Sequence, residues 1–190
     1  MPDDECMHVV GLVLTVCWLA FWIFWLAAAT GAKASRGRPA WRRFAGGRVA
    51  LLVVIIFLLR DLGFRSRPAP GSPVLTGIGL ALFAAGLALA IWARLYIGRN
   101  WGMPMSQRQE PDLVTTGPYR RVRHPIYSGI ILALIGTALA TTLYALIAAV
   151  ILGGYFIYSA TQEEAFLARE FPDAYPDYQH STKMLVPFLF

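Results

Sequence analysis

Two short polar islands in an otherwise apolar chain hold the residues that could do chemistry. The first runs from Asp112 to Gly129 and carries Tyr119, Arg120, Arg121, Arg123, His124 and Tyr127. Within it, Gly117-Pro118 reads as a turn. Pro125 suits the first position of a helix, where its missing N–H costs nothing, and that makes His124 the cap. Free backbone amides at such a helix start favour an anion, and the three arginines strengthen that preference. The second island opens with Gln162-Glu163-Glu164 and continues through Phe171, Tyr175 and Tyr178. Two adjacent carboxylates directly after a membrane-length apolar run are expensive where they stand, which points to function. Acids at the very end of a helix would also oppose its dipole, so this helix is expected to continue to about Phe171. The plainer alternatives are a basic turn that anchors a helix end and a solvated helix terminus.

The elements that must position these islands are membrane helices. The chain has 190 residues, of which 57% are apolar and only 15% charged, with a mean hydropathy of +0.53. Its charges gather in islands: the stretches 9–31 and 126–162 contain no Asp, Glu, Lys, Arg or His. A membrane helix needs about 20 apolar residues to cross roughly 30 Å of hydrocarbon. The expected fold is therefore an all-α integral membrane bundle of about five transmembrane helices, with a C-terminal helical hairpin and a cytoplasmic tail. The first span is 9–31. It follows Asp3, Asp4 and Glu5 and is longer than the core of a secretory signal, so it is not read as one. A second span over 46–64 requires Arg48 and Arg60 to snorkel toward the two interfaces. A third covers 74–97. As one helix, 126–162 would be about 55 Å long, so it is expected to fold as a hairpin that turns near Thr141 and Thr142. Residues 1–97 then form an N-terminal membrane unit, and 98–190 hold both islands.

Charge asymmetry orients this bundle. The loop 32–48 carries Lys33, Arg36, Arg38, Arg42, Arg43 and Arg48 without an acid. Such loops stay cytoplasmic, which puts the N-terminus outside and both islands on the cytoplasmic side of a cytoplasmic membrane. The net charge of +6 is accordingly read as a topology signal and a contact for anionic lipid, with no nucleic-acid partner. Cys6 and Cys17 lack any metal-ligand spacing, so no metal is expected. Gly77, Gly79 and Gly86 look faintly like a dinucleotide fingerprint. They lie inside a helix with no strand before it, so close helix packing accounts for them.

Together the two islands resemble the signature of the isoprenylcysteine carboxyl methyltransferase family. The resemblance rests on Leu113-Val114-Thr115, Gly117 and Tyr119 leading to Arg123-His124-Pro125, Tyr127 and Gly129. After a helical hairpin it continues through Glu163-Glu164, Leu167, Phe171, Tyr175, Tyr178 and Pro187-Phe188. It covers about residues 98–190, within a wider group that includes phospholipid N-methyltransferases and membrane reductases. The resemblance implies S-adenosylmethionine as cofactor and a lipophilic or lipidated substrate entering from the bilayer. Methyl transfer from a sulfonium is an in-line displacement that needs positioning and no metal. It further implies Glu164 and Arg123 as catalytic residues, and Leu113, Val114, Gly117, Tyr119, His124, Tyr127, Glu163 and Tyr178 as cofactor-binding. In that scheme Arg123, His124 and the helix amides face the cofactor carboxylate, and Glu163 takes ribose hydroxyls or the amino group. The three tyrosines supply stacking faces and hydroxyls. Two positions depart from the family pattern: Pro111 stands where histidine is common, and Ser159 where an arginine meets the substrate carboxylate. A serine offers no bidentate pairing, so the acceptor is expected to be a lipophilic molecule other than a prenylcysteine. Two readings of other kinds stay open at this point, an NADPH-dependent reductase of the related fold and a non-catalytic membrane protein.

Overall fold

The computed structural model describes residues 2–29, 72–101, 112–141 and 144–187. The expected second span over 46–64 and the basic loop 32–48 lie outside the described residues. The described elements are α1 (Pro2–Ala29), α2 (Pro73–Ile97), a 3-10 turn (Gly98–Asn100), a second 3-10 turn (Gly117–Arg120), α3 (Pro125–Ala140), α4 (Tyr144–Glu170) and the short α5 (Tyr175–Ser181). Among the described residues there is no β-strand, only one isolated parallel bridge between Val122 and Lys183.

Sequence chemistry fixes most of the boundaries. Pro73 and Pro125 open α2 and α3, where a missing N–H is harmless. Gly98 closes α2 in a left-handed conformation (φ 53°) and donates its N–H to the carbonyl of Arg94. The hairpin turns where expected: α3 ends at Ala140, Thr141 caps it, and α4 begins at Tyr144. Thr142 lies outside the described residues. Helix α4 continues past both glutamates to Glu170, as their conflict with the helix dipole requires.

Among the described residues, two helices meet the length and hydropathy needed to cross a membrane, Glu5–Trp25 within α1 and Pro73–Ile97. Only 11% and 28% of their apolar windows are buried, so neither is the core helix of a water-soluble protein. Val74 (68% exposed) and Val150 (73% exposed) show the same outward apolar face on α2 and α4. Helix α3 is the first arm of the expected hairpin. At 16 residues it reaches about 24 Å, less than the hydrocarbon thickness. Its start at Pro125 and the hairpin turn confine it.

Without water, apolar area alone does not drive helices together, so close backbone approach has to. Gly79, Phe83, Gly86 and Ala90 on α2 are buried, as are Gly129, Ala133, Gly136 and Ala140 on α3. A Cβ on Gly86 would lie 2.5 Å from both the Ala133 nitrogen and the Gly129 oxygen, and one on Gly129 would lie 2.6 Å from the Gly86 oxygen. Gly86→Leu should therefore force the pair apart and cost at least about 1–3 kcal/mol. Thermal melting in detergent reads this directly, and a midpoint equal to the parent's would contradict the packing described. Helix α1 joins the pair through Leu14, which packs with Phe83, Ala133 and Ala140, and through Trp18, whose indole N–H donates to Thr137 Oγ1 at 3.2 Å. At the other end of α2, Arg94 donates to the carbonyls of Ala28 and Gly98 and lies 4.5 Å over the Trp101 ring. These contacts fix the end of the bundle where the polar islands meet.

Candidate functional site

The site is built by three segments that converge on the N-terminus of α3: the turn that precedes it, the polar end of α4, and the tail after α5. The tail lies alongside 121–124 in a short parallel pairing. Arg123 N–H donates to Lys183 O (2.8 Å), His124 N–H to Met184 O (3.0 Å) and Lys183 N–H to Arg121 O (3.3 Å). Ser128 Oγ donates to Leu185 O at 2.5 Å, and Leu185 is buried in the core below. These bonds use backbone groups at the helix start that would otherwise lack partners.

Arg123 is the hub. Its Nε donates to Glu164 Oε1 at 2.6 Å and its Nη2 to Glu164 Oε2 at 3.3 Å, a two-point pairing of guanidinium and carboxylate. Its Nη1 donates to the carbonyls of Gln179 (3.1 Å) and Thr182 (2.8 Å) at the end of α5. The guanidinium that the resemblance sets beside a cofactor carboxylate is thus directed, in the structure, at Glu164 and the tail. Gln179 Nε2 adds a bond to Glu164 Oε2 at 3.2 Å.

Glu163 and Glu164 sit beyond the apolar part of α4 and flank one imidazole. His124 Nε2 lies 3.3 Å from Glu164 Oε1, while its Nδ1 lies 3.7 Å from Glu163 Oε2. The His124 ring is parallel to that of Tyr127 (centroids 5.5 Å apart), and Tyr127 in turn stacks on Phe156 at 4.8 Å. Tyr127 donates its hydroxyl to Glu163 Oε1 at 2.6 Å. Burial opposes ionisation of Glu164, but hydrogen bonds from His124 and Arg123 outweigh it and hold the carboxyl below its usual range. A lowered folded value means that Glu164 stabilises the fold above the ordinary carboxylate range and loses that contribution as pH falls through the lowered value. Melting midpoints should therefore drop on acidification below about pH 4.3. The drop should be smaller in Glu164→Gln, and equal drops in both proteins would contradict the assignment.

The remaining residues picked out in the sequence lie in and beside these segments. Gly117 adopts φ +60°, and a Cβ there would also strike the Tyr96 ring at 2.6 Å, so glycine is required twice over. The Tyr96 and Thr116 hydroxyls share a hydrogen bond of 2.7 Å beside it. Val114 packs on the core, and Leu113 beside it is half-buried. Tyr178 is buried and donates its hydroxyl to the Tyr119 carbonyl at 2.7 Å, while the Tyr119 hydroxyl donates to Ala93 O at 3.4 Å. Burial pushes both phenols well above their ordinary range, so both keep their protons and act as donors. Among the described residues, the buried Ser159 Oγ, one helical turn before Glu163, has no hydrogen-bond partner. Gln179, Thr182 and the backbone of 183–185 belong to the site, yet no sequence signal marked them, because they act chiefly through carbonyls.

A family model described as phospholipid methyltransferase matches residues 74–174. The cobalt-zinc-cadmium resistance protein CzcN of Cupriavidus metallidurans is 32% identical over 142 residues, 72% of this chain and 62% of that protein. Protein-S-isoprenylcysteine O-methyltransferase B of Arabidopsis thaliana is 30% identical over 119 residues, 60% of each chain. The solved structure of the eukaryotic intramembrane Ras methyltransferase ICMT superposes with a TM-score of 0.54 at 25% identity, over 78% of this chain and 53% of that one. The chain thus spans about six-tenths of the length of the relatives named here, and about half of the solved one.

Proposed function

Because the chain belongs to the phospholipid methyltransferase family, we propose that it is a membrane enzyme that moves a methyl group from S-adenosylmethionine to a lipophilic acceptor. The observation that carries this reading is the meeting of the two islands around His124: Arg123 pairs with Glu164, and Tyr127 with Glu163, across about 40 residues of sequence. The donor set suits the cofactor. The carboxylates of Glu163 and Glu164 suit a ligand bearing a sulfonium and an ammonium group.

In this reading residues 98–190 form the cofactor-binding part. Glu163 and the Tyr127 hydroxyl hold the ligand's amino or ribose groups, and Leu113, Val114, Gly117, Tyr119, His124 and Tyr178 line the rest of its bed. Glu164, kept ionised by Arg123, faces the reacting centre. The bound cofactor supplies an electrophilic methyl. The chain orients the reactants and keeps water from them, so that a two-body encounter becomes a positioned displacement. The acceptor enters laterally from the bilayer, and the site faces the cytoplasm, with the N-terminus outside.

The test is transfer of tritium from methyl-labelled S-adenosylmethionine into a lipid extract by the protein in nanodiscs. Label is expected in the organic phase, and Glu164→Gln should lower it by about 100-fold or more. Absence of label with the parent protein, or equal label with the variant, would contradict the proposal.

A further inference from the structure

Resting on the methyltransferase reading, we propose that Arg94, near the end of α2, holds the carboxylate of the methyl donor's amino-acid portion. Arg94 is buried, at 4% exposed, and most of its guanidinium is committed. Nη1 donates to Gly98 O at 2.9 Å, Nη2 donates to Ala28 O, and the group lies 4.5 Å over the Trp101 ring. The two bonds act as caps, because the carbonyls belong to the ends of α1 and α2. Capping leaves one donor over. Among the described residues, the Nε–H of Arg94 is buried without a hydrogen-bond partner. A buried donor is costly to leave open, and more so on a charged group. The carbonyls are dipoles and the ring a quadrupole, so none of these partners brings a full negative charge to the cation. An anion at Nε supplies both the missing acceptor and the missing charge.

Neighbouring groups fit the rest of that ligand. Asn100, in the 3-10 turn that starts at Gly98, keeps its Oδ1 buried and unpartnered among the described residues. An amino-acid end presents a carboxylate and an ammonium side by side, the counterparts of an orphan donor and an orphan acceptor. Tyr119 ties this end of α2 to the site around His124. Its hydroxyl donates to Ala93 O at 3.4 Å, and its carbonyl accepts from Tyr178. Burial keeps the phenol protonated, the Glu163 carboxylate adds to that effect, and the Arg94 guanidinium opposes it, so both charges act on one ring. The cation that the sequence points to is committed elsewhere. Arg123 gives its side-chain nitrogens to Glu164, Gln179 and Thr182, and its backbone N–H, like that of His124, donates to the tail. A carboxylate held at Arg94 leaves those contacts intact.

The test compares two ligands that differ in that carboxylate, S-adenosylmethionine and its decarboxylated form, titrated by calorimetry into the full chain in nanodiscs. The parent should bind S-adenosylmethionine about 10-fold or more tightly than the decarboxylated ligand. Equal affinities would overturn the proposal before any variant is made. In Arg94→Gln the preference should shrink to about 2-fold or less, because only the ligand with a carboxylate loses a partner. A purely structural role for Arg94 would weaken both ligands alike, and an unchanged ratio of this kind would overturn the proposal. Arg94→Lys is read where the glutamine variant does not fold. One ammonium cannot serve both carbonyls and a ligand, so its ratio should fall at least about 3-fold, and a ratio equal to the parent's would overturn the proposal. Binding by the parent separates the two levels. Absence of S-adenosylmethionine binding sinks the methyltransferase reading, whereas binding without a preference for the carboxylate sinks only the role of Arg94.

Discussion

Arg123→Ala is expected to destabilise the protein by about 3–5 kcal/mol and to release the tail from the bundle. The size follows from what the substitution leaves behind. The Glu164 carboxylate, only 9% exposed, would lose its two-point partner, and removing one member of a buried pair is far more damaging than the pair's own net worth. The carbonyls of Gln179 and Thr182 would lose their donor in the same step. The tail pairing at 183–185 depends on that anchor, so trypsin should cut at Lys183 in the variant much faster than in the parent. Arg121 is exposed, and Arg121→Ala should change stability by less than about 0.5 kcal/mol. Equal melting and equal proteolysis of the Arg123 variant and the parent would remove Arg123 from the centre of this account.

Glu163→Ala should weaken S-adenosylmethionine binding by about 10- to 100-fold. A charge-assisted hydrogen bond contributes about 1.5–3 kcal/mol, and each 1.4 kcal/mol is a factor of ten in affinity. The substitution also strands the buried Tyr127 hydroxyl, whose acceptor is Glu163 Oε1 at 2.6 Å. Tyr127→Phe keeps the carboxylate and should cost less than Glu163→Ala. Titration of the three proteins by calorimetry in detergent checks the order. A Glu163→Ala protein that binds as tightly as the parent would mean that this carboxylate serves Tyr127 alone.

Much of the fold and site could be read from residue types because local rules governed them. A proline after His124 marks a helix start, and two acids after an apolar run demand a helix that continues, and both features stand as expected. Gly79 and Gly86 of α2 were legible as packing residues and meet the α3 backbone, whereas a Cβ on Gly77 would meet nothing within 4 Å, so close packing does not account for that glycine. What could not be read was which groups Arg123 would satisfy. Two of its partners are backbone carbonyls in the tail, and a carbonyl has no sequence signature. The position of His124 between Glu163 and Glu164 was hidden for a related reason. Adjacent acids on a helix point about 100° apart, and only the packing of α3 against α4 decides that one ring fits between them.

The central claim, that these two islands form a methyl-donor site, is tested most directly by titrating the purified protein in nanodiscs with S-adenosylmethionine and, separately, with NADPH. The account predicts saturable binding of S-adenosylmethionine at one site per chain and no saturable binding of NADPH over the same concentrations. Saturable NADPH binding without S-adenosylmethionine binding would contradict it and make the chain a reductase of the related fold.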